Sequence, residues 1–265
     1  MVEIGSSFGE RFLYIPVLGY TLAVAYGLEY FFSKTIKGKF SLSLVIAGLL
    51  IGWYGLKTIL RNPAWKDSYT LYATDIVTAP NSAKLNYHFG LESSKRGQQA
   101  TNPVEQKQYY ADAKVAFKRA ISIYPNYGDA YSQLGLTYFR EGNSPEALRN
   151  YQLSIQYKAN NALTYSNMGI IYFQNNDLEN AKSVYQKAVA IDPTFVDARR
   201  NLGAVHAMQG NFSAAIEQFR EALNYDSEDP TLNQYLGTAL QDSGNASAAR
   251  PYLEKAARLR SSLKK

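Results

Sequence analysis

Apolar residues are distributed in two regimes along this chain of 265 residues. Up to residue 60 they form two continuous blocks. Residues 12–32 are a run of 21 mostly apolar residues whose one charge, Glu29, lies close to its end; residues 40–60 are a second such run, with Lys57 near its end. At about 1.5 Å per residue each run spans roughly 30 Å as a helix, the thickness of a bilayer core. A signal peptide has a shorter apolar core of roughly 7–15 residues. A charge at mid-bilayer costs roughly 2.5–3.5 kcal/mol, so charges confined to the ends favour a membrane hairpin over a buried soluble one. The intervening loop, 33–39, carries Lys34, Lys37 and Lys39 and no acid, whereas the outer flanks carry Arg11, Arg61 and Lys66. The positive-inside bias predicts a cytoplasmic loop, with the N-terminus and everything after residue 60 outside: periplasm, exterior or lumen of the endoplasmic reticulum. Gly19, Gly27, Gly48, Gly52 and Gly55 would permit close helix packing there.

Beyond residue 60 the pattern becomes periodic. Gly135, Gly169, Gly203 and Gly237 are spaced by 34 residues, and each follows an apolar residue. Twelve positions after each glycine stands an alanine (Ala147, Ala181, Ala215, Ala249); four further on comes a bulky residue (Tyr151, Tyr185, Phe219, Leu253). This period identifies the tetratricopeptide repeat, a helix hairpin that cannot bury its apolar face alone and therefore stacks on copies of itself. The units predicted are 128–161, 162–195, 196–229 and 230–263. Gly142, Gly210 and Gly244, each followed by Asn, read as helix C-caps, and Ser144–Pro145 and Asp192–Pro193 as start and stop signals.

A fifth unit, 83–127, carries an insertion. Residues 83–90 open its first helix, and Ala113, Phe117, Ala120 and Pro125 place the second in correct mutual spacing. Gly90 to Ala113 is 23 residues rather than 12, and the polar stretch 97–103 reads as a loop. Within the linker 61–82, residues 65–78 read as an orphan helix that caps the array. The fold class expected is all-α: a two-helix membrane hairpin followed by a right-handed superhelical solenoid of such repeats.

The chemistry available is limited. The chain has no cysteine and two histidines, His88 and His206, which argues against disulfides, a thiolate or His-based metal site and a Ser-His-Asp triad. No cofactor, metal or catalytic residue is expected. The net charge of +6 is spread over helices with acids nearby, without a basic stripe interleaved with aromatics, so nucleic acid is not the expected partner. Asn211-Phe-Ser and Asn245-Ala-Ser match the glycosylation acceptor pattern, yet both asparagines stand where the repeat wants Gly-Asn for its turn. The informative row lies two residues before each glycine: His88, Gln133, Asn167, Asn201 and Tyr235. In this architecture the first helix of each unit lines the concave face. An amide offers an acceptor and two donors to a peptide unit whatever its side chain, so the row is the candidate peptide-binding site. Exposed helix positions also often carry Asn or Gln. A cationic clamp on a carboxylate is poorly served, with Arg140 and Arg200 alone near suitable positions.

The amide row resembles the asparagine ladder of O-GlcNAc transferase repeats. Three further stretches, Gly9-Glu-Arg-Phe-Leu-Tyr-Ile-Pro-Val-Leu-Gly19, Arg61-Asn-Pro-Ala-Trp65 with Leu71-Tyr72, and Ala83-Lys-Leu-Asn-Tyr-His-Phe-Gly90, together resemble the C-terminal part of the transmembrane and tetratricopeptide-repeat O-mannosyltransferases and of related bacterial membrane glycosyltransferases. Gly9 and Val17 stand where that family has Ala and Ser, and His88 where it usually has Asn. The resemblance implies a multi-span enzyme that uses a polyprenyl-phosphate sugar on the outer side, with its catalytic acid in a first loop that this chain does not contain. Glu10 and Arg11 would face the lipid phosphate or simply flank a membrane helix. The function expected is a membrane-anchored scaffold that binds a polypeptide, the acceptor- or partner-binding portion of such an enzyme and itself inactive. The alternatives are a piece that works with a membrane glycosyltransferase half, and an assembly factor for a membrane complex unconnected with sugars.

Overall fold

The computed structural model describes residues 42–61 and 66–262, with isolated positions 19, 23, 24, 26, 27 and 30. These described residues form twelve helices and no strand. The chain divides into two compact units, residues 1–124 and 125–265. Among the described residues no helix is long and apolar enough to cross a membrane. The expected membrane hairpin is therefore not part of the described architecture. Its first run, its loop, Glu10 and Arg11 lie almost wholly or entirely outside the described residues. The second run begins as helix α1, Leu42–Arg61, but the side chains of 42–47 also lie outside them.

The first unit further contains α2 (Ser68–Thr78), α3 (Ala83–Gln99) and α4 (Pro103–Ile123). Asp67 starts α2 by accepting from the Thr70 amide at 2.9 Å and forms an ion pair with Arg96 at 2.8 Å. Arg96 also lies over the Tyr69 ring, 4.4 Å from its centroid, and Tyr69 meets Phe89 and Tyr109 at 5.3 and 5.6 Å. These contacts hold the orphan helix against the α3–α4 hairpin. Trp65, read as its first residue, is outside the described residues.

The inserted segment corrects the sequence reading. Residues 97–99 belong to α3 and Pro103 begins α4, so the expected loop 97–103 shrinks to the link 100–102. The extra residues lengthen both helices: α3 has 17 residues where later first helices have 13, and α4 has 21 where α6, α8 and α10 have 14. The cause is visible at Gly97. A Cβ there would lie 2.6 Å from Tyr110, as one on Gly90 would lie 2.6 Å from Phe117. Seven steps up one helix match seven steps down the other, as an antiparallel hairpin requires. A glycine that looks like loop punctuation is a second point of close helix approach.

The second unit contains α5 (Gly128–Arg140), α6 (Ser144–Tyr157), α7 (Ala162–Gln174), α8 (Leu178–Ile191), α9 (Val196–Met208), α10 (Phe212–Tyr225), α11 (Pro230–Asp242) and α12 (Ala246–Ser262). Four hairpins result, each closed by one device. Gly142, Gly210 and Gly244 adopt left-handed φ of 78°, 72° and 85°, and Asn176 takes the equivalent place at 58°. The next residue in each case (Asn143, Asp177, Asn211, Asn245) returns its amide to a carbonyl five residues back at 2.9 Å, the Schellman closure. Its side chain then accepts from the first turn of the following helix. Both glycosylation-pattern asparagines are thus engaged as N-caps, a role whose loss usually costs about 1 kcal/mol.

Inside each hairpin the repeat glycine faces a large side chain on the second helix: Gly135 against Tyr151, Gly169 against Tyr185, Gly203 against Phe219 and Gly237 against Leu253. Tyr151, Tyr185 and Phe219 are almost fully buried. Between hairpins, the buried hydroxyls of Ser132 and Thr164 lie 2.7 Å apart. A polar group in this joint is tolerable because it is partnered.

Candidate functional site

The five row positions are divided between the two units. His88 belongs to the first unit and the other four to the second. The His88 ring stacks on Tyr72 at 5.6 Å and 15°, with Tyr87 at its edge, so it faces the orphan helix. Gln133, Asn167, Asn201 and Tyr235 are one-third exposed at most or modestly beyond, and none is buried. Each of the last three addresses the side chain 16 residues before it, on the second helix of the preceding hairpin. Tyr235 packs on the Phe219 ring at 5.6 Å. Burial raises the pKa of the Tyr185 hydroxyl, while the neighbouring Asn201 side chain and Arg200 oppose the shift. Burial likewise raises the Tyr151 hydroxyl, against Asn167 and Arg140, but this hydroxyl makes no hydrogen bond of good geometry.

The aromatic of the second helix is therefore sandwiched. One face meets the glycine of its own first helix, and its tip meets the row residue of the next. Sequence spacing reveals the row but not this second attachment, since 16 residues is no period of a single helix.

A polar residue four positions before the glycine serves a different purpose. The Asn86 amide donates to the carbonyls of Pro80 and Ser82 at 3.1 and 2.9 Å, and the Asn233 amide to those of Ser227 and Asp229 at 3.1 and 2.8 Å. Arg199 does the same for Pro193 at 2.7 Å. These residues satisfy the turn between hairpins and belong to the scaffold. Arg200 is also committed, to Asp197 and Asp229, which removes it from any carboxylate clamp.

One cavity adjoins the row. It has a volume of about 150 Å³ and is lined by Ala204, Ala207, Phe219, Tyr235, Thr238, Ala239 and Asp242. It lies between α9 and α11, with Phe219 of α10 as its floor. One repeat earlier the places of Ala204 and Ala207 are held by the larger Ile170 and Phe173. No group of His, Asp or Glu suited to a metal ion occurs among the described residues.

Comparisons with known proteins agree with this architecture. Models described as TPR repeat match residues 135–176 and 170–210, and models described as tetratricopeptide repeat match 116–149 and 196–229. Mouse protein O-mannosyl-transferase TMTC3 is 29% identical over 151 residues, 57% of this chain and 15% of that protein. The Xenopus laevis protein O-mannosyl-transferase tmtc2 is 35% identical over 108 residues, 40% of this chain and 13% of that protein. The chain thus matches about one-seventh of the length of these relatives. Among solved structures, MamA from Desulfovibrio magneticus has a TM-score of 0.59 at 18% identity, covering 69% of this chain and 97% of that one. YrrB, described as a TPR protein with an unusual peptide-binding site, has a TM-score of 0.58 at 18% identity, covering 71% and 91%. Residues 116–229 are therefore tetratricopeptide repeats, and the repeat-bearing part of the chain is similar to that of the protein O-mannosyl-transferases.

Proposed function

We propose that the chain is a membrane-anchored scaffold whose repeats, 83–127, 128–161, 162–195, 196–229 and 230–263, hold an extended polypeptide on the extracytoplasmic side. The polypeptide is the acceptor or a partner of a polyprenyl-phosphate-sugar-dependent glycosyltransferase. The observation that carries the binding reading is the pair Asn167 and Asn201, equivalent in consecutive units and each directed at a buried tyrosine. The peptide-binding site described for YrrB and the similarity to protein O-mannosyl-transferases support it. Glu10 and Arg11 keep the lipid-phosphate role that the resemblance implies.

Replacing both Asn167 and Asn201 by alanine is expected to weaken binding of a library-selected extended peptide roughly thirtyfold, since each of the two lost hydrogen bonds is worth about 1 kcal/mol. Asn201→Ala also removes the polar neighbour of the Tyr185 hydroxyl, a penalty on stability of up to about 1 kcal/mol. The double variant is therefore read in a Tyr185→Phe background, where that penalty is absent. Unchanged affinity by calorimetry in a folded triple variant would overturn the amide-row model.

The anchor is supported by α1. Leu49, Ile51, Trp53, Tyr54, Leu56, Ile59 and Leu60 are all exposed, more apolar surface than one helix leaves to water without reason. The complete apolar run, residues 40–60, reaches beyond the side chains described. Protease added to sealed membranes from the cytoplasmic side should leave the repeats intact; their digestion would refute the orientation.

A further inference from the structure

We infer that the cavity between α9 and α11 receives the guanidinium side chain of an arginine from the bound polypeptide. The inference rests on the scaffold reading and names one residue of its ligand. Three independent features agree. The first is shape: an open pocket of about 150 Å³ with mostly apolar walls suits a flat group on an aliphatic stem. The second is the aromatic surface, because Phe219 and Tyr235 both line it, and guanidinium planes stack on such rings.

The third is charge. Thr238, Ala239 and Asp242 belong to the last turn or so of α11, and Ala204 and Ala207 to that of α9. Helix C-termini are negative ends of the backbone dipole, where Lys or Arg is the stabilising choice. Here α11 has no base in its last turn and ends in Asp242 itself. The last turn of α9 carries only His206, held below the ordinary histidine pKa by burial and by Lys182, against Glu217. Asp242 is exposed and enters no ion pair or hydrogen bond among the described residues. An uncompensated carboxylate thus stands in the lining of an apolar, aromatic pocket, where the last turns of two helices add no base to answer it. An aliphatic side chain would fill the void and leave that charge unanswered, whereas arginine satisfies both.

The test uses the full chain in detergent, titrated with acetyl-arginine amide and acetyl-leucine amide and followed by backbone amide resonances. The arginine probe should shift Ala204, Ala207, Tyr235 and Thr238, should weaken with added salt, and should bind several-fold tighter than the leucine probe. Asp242→Asn, a surface change, should weaken the arginine probe about three- to fivefold and leave the leucine probe unaffected. Ala204→Ile with Ala207→Phe, which restores the side chains of the preceding repeat, should abolish both. Equal or tighter binding of the leucine probe, or indifference to Asp242→Asn, would overturn the inference. The probes are too short to span the amide row. Retained arginine capture with loss of the amide-row effect therefore sinks the scaffold reading alone, and the reverse result sinks the pocket alone. A concentration-dependent dimer abolished by Asp242→Asn would make the occupant Arg258 or Arg260 of a second copy, and would overturn the polypeptide-ligand assignment.

Discussion

Replacing Tyr185 by alanine should destabilise the second unit by about 3–5 kcal/mol, the range for deleting a fully buried aromatic. Tyr185 has 1% of its surface exposed and joins three elements. Its ring lies against Gly169 in α7, its own helix is α8, and its hydroxyl is beside Asn201 of α9. Truncation removes packing within one hairpin and a link to the next. In a stack where each unit is stabilised by its neighbours, the coupling between the third and fourth units should fall disproportionately. Urea unfolding should show a lower midpoint and a broadened or two-step transition. Tyr185→Phe keeps the ring and removes only the hydroxyl beside Asn201, and should cost at most about 0.5–1.5 kcal/mol with one cooperative step retained. Equal losses for the two substitutions would show that the hydroxyl, not the ring, holds the joint.

Gly169→Ala should be destabilising by about 1–3 kcal/mol, although alanine is the better helix former by roughly 1 kcal/mol. The added methyl would stand 2.5 Å from Cε1 and 2.6 Å from Cζ of Tyr185, and the ring is itself buried. The hairpin must open or Tyr185 must leave its rotamer. The useful contrast is Gly142→Ala. Nothing lies within 4 Å of a Cβ there, but φ is +78°, so its cost of about 1–2 kcal/mol is a backbone cost. Combining Gly169→Ala with Tyr185→Ala should recover part of the glycine penalty, because the obstacle is gone; combining Gly142→Ala with Tyr185→Ala should be additive. Thermal unfolding of the four variants decides. A Gly169→Ala protein as stable as the parent would mean that the helices already stand farther apart than the structure places them.

These cases show what is legible in residues alone. The 34-residue spacing of Gly135, Gly169, Gly203 and Gly237 determines the helix hairpin, its partner positions and its turns. Each is a local consequence of helix periodicity, of Gly at left-handed φ and of Asn or Asp at an N-cap. The same local rules mislead at Gly97, where a glycine in a polar stretch looks like a loop. Only the ring of Tyr110 across the hairpin shows that it marks an approach of two helices. The row of His88, Gln133, Asn167, Asn201 and Tyr235 is visible as a list of positions.

That Asn201 lies beside Tyr185, that Tyr235 and Phe219 share a contact, and that His88 is occupied by Tyr72 depend on stacking. Stacking brings residue i against residue i+16 of the next unit, and no single helix carries that interval. The cavity beside Tyr235 is the plainest instance. Ala204 and Ala207 are unremarkable helix residues in the chain. They line a pocket because tertiary packing sets them opposite Tyr235, Thr238 and Ala239 of α11, where small side chains leave a gap. Sequence determined the repeating unit, since that unit is closed by local geometry. The tertiary structure decided which surfaces and voids the stacked units leave for a partner, since those depend on volumes contributed by residues far apart in the chain.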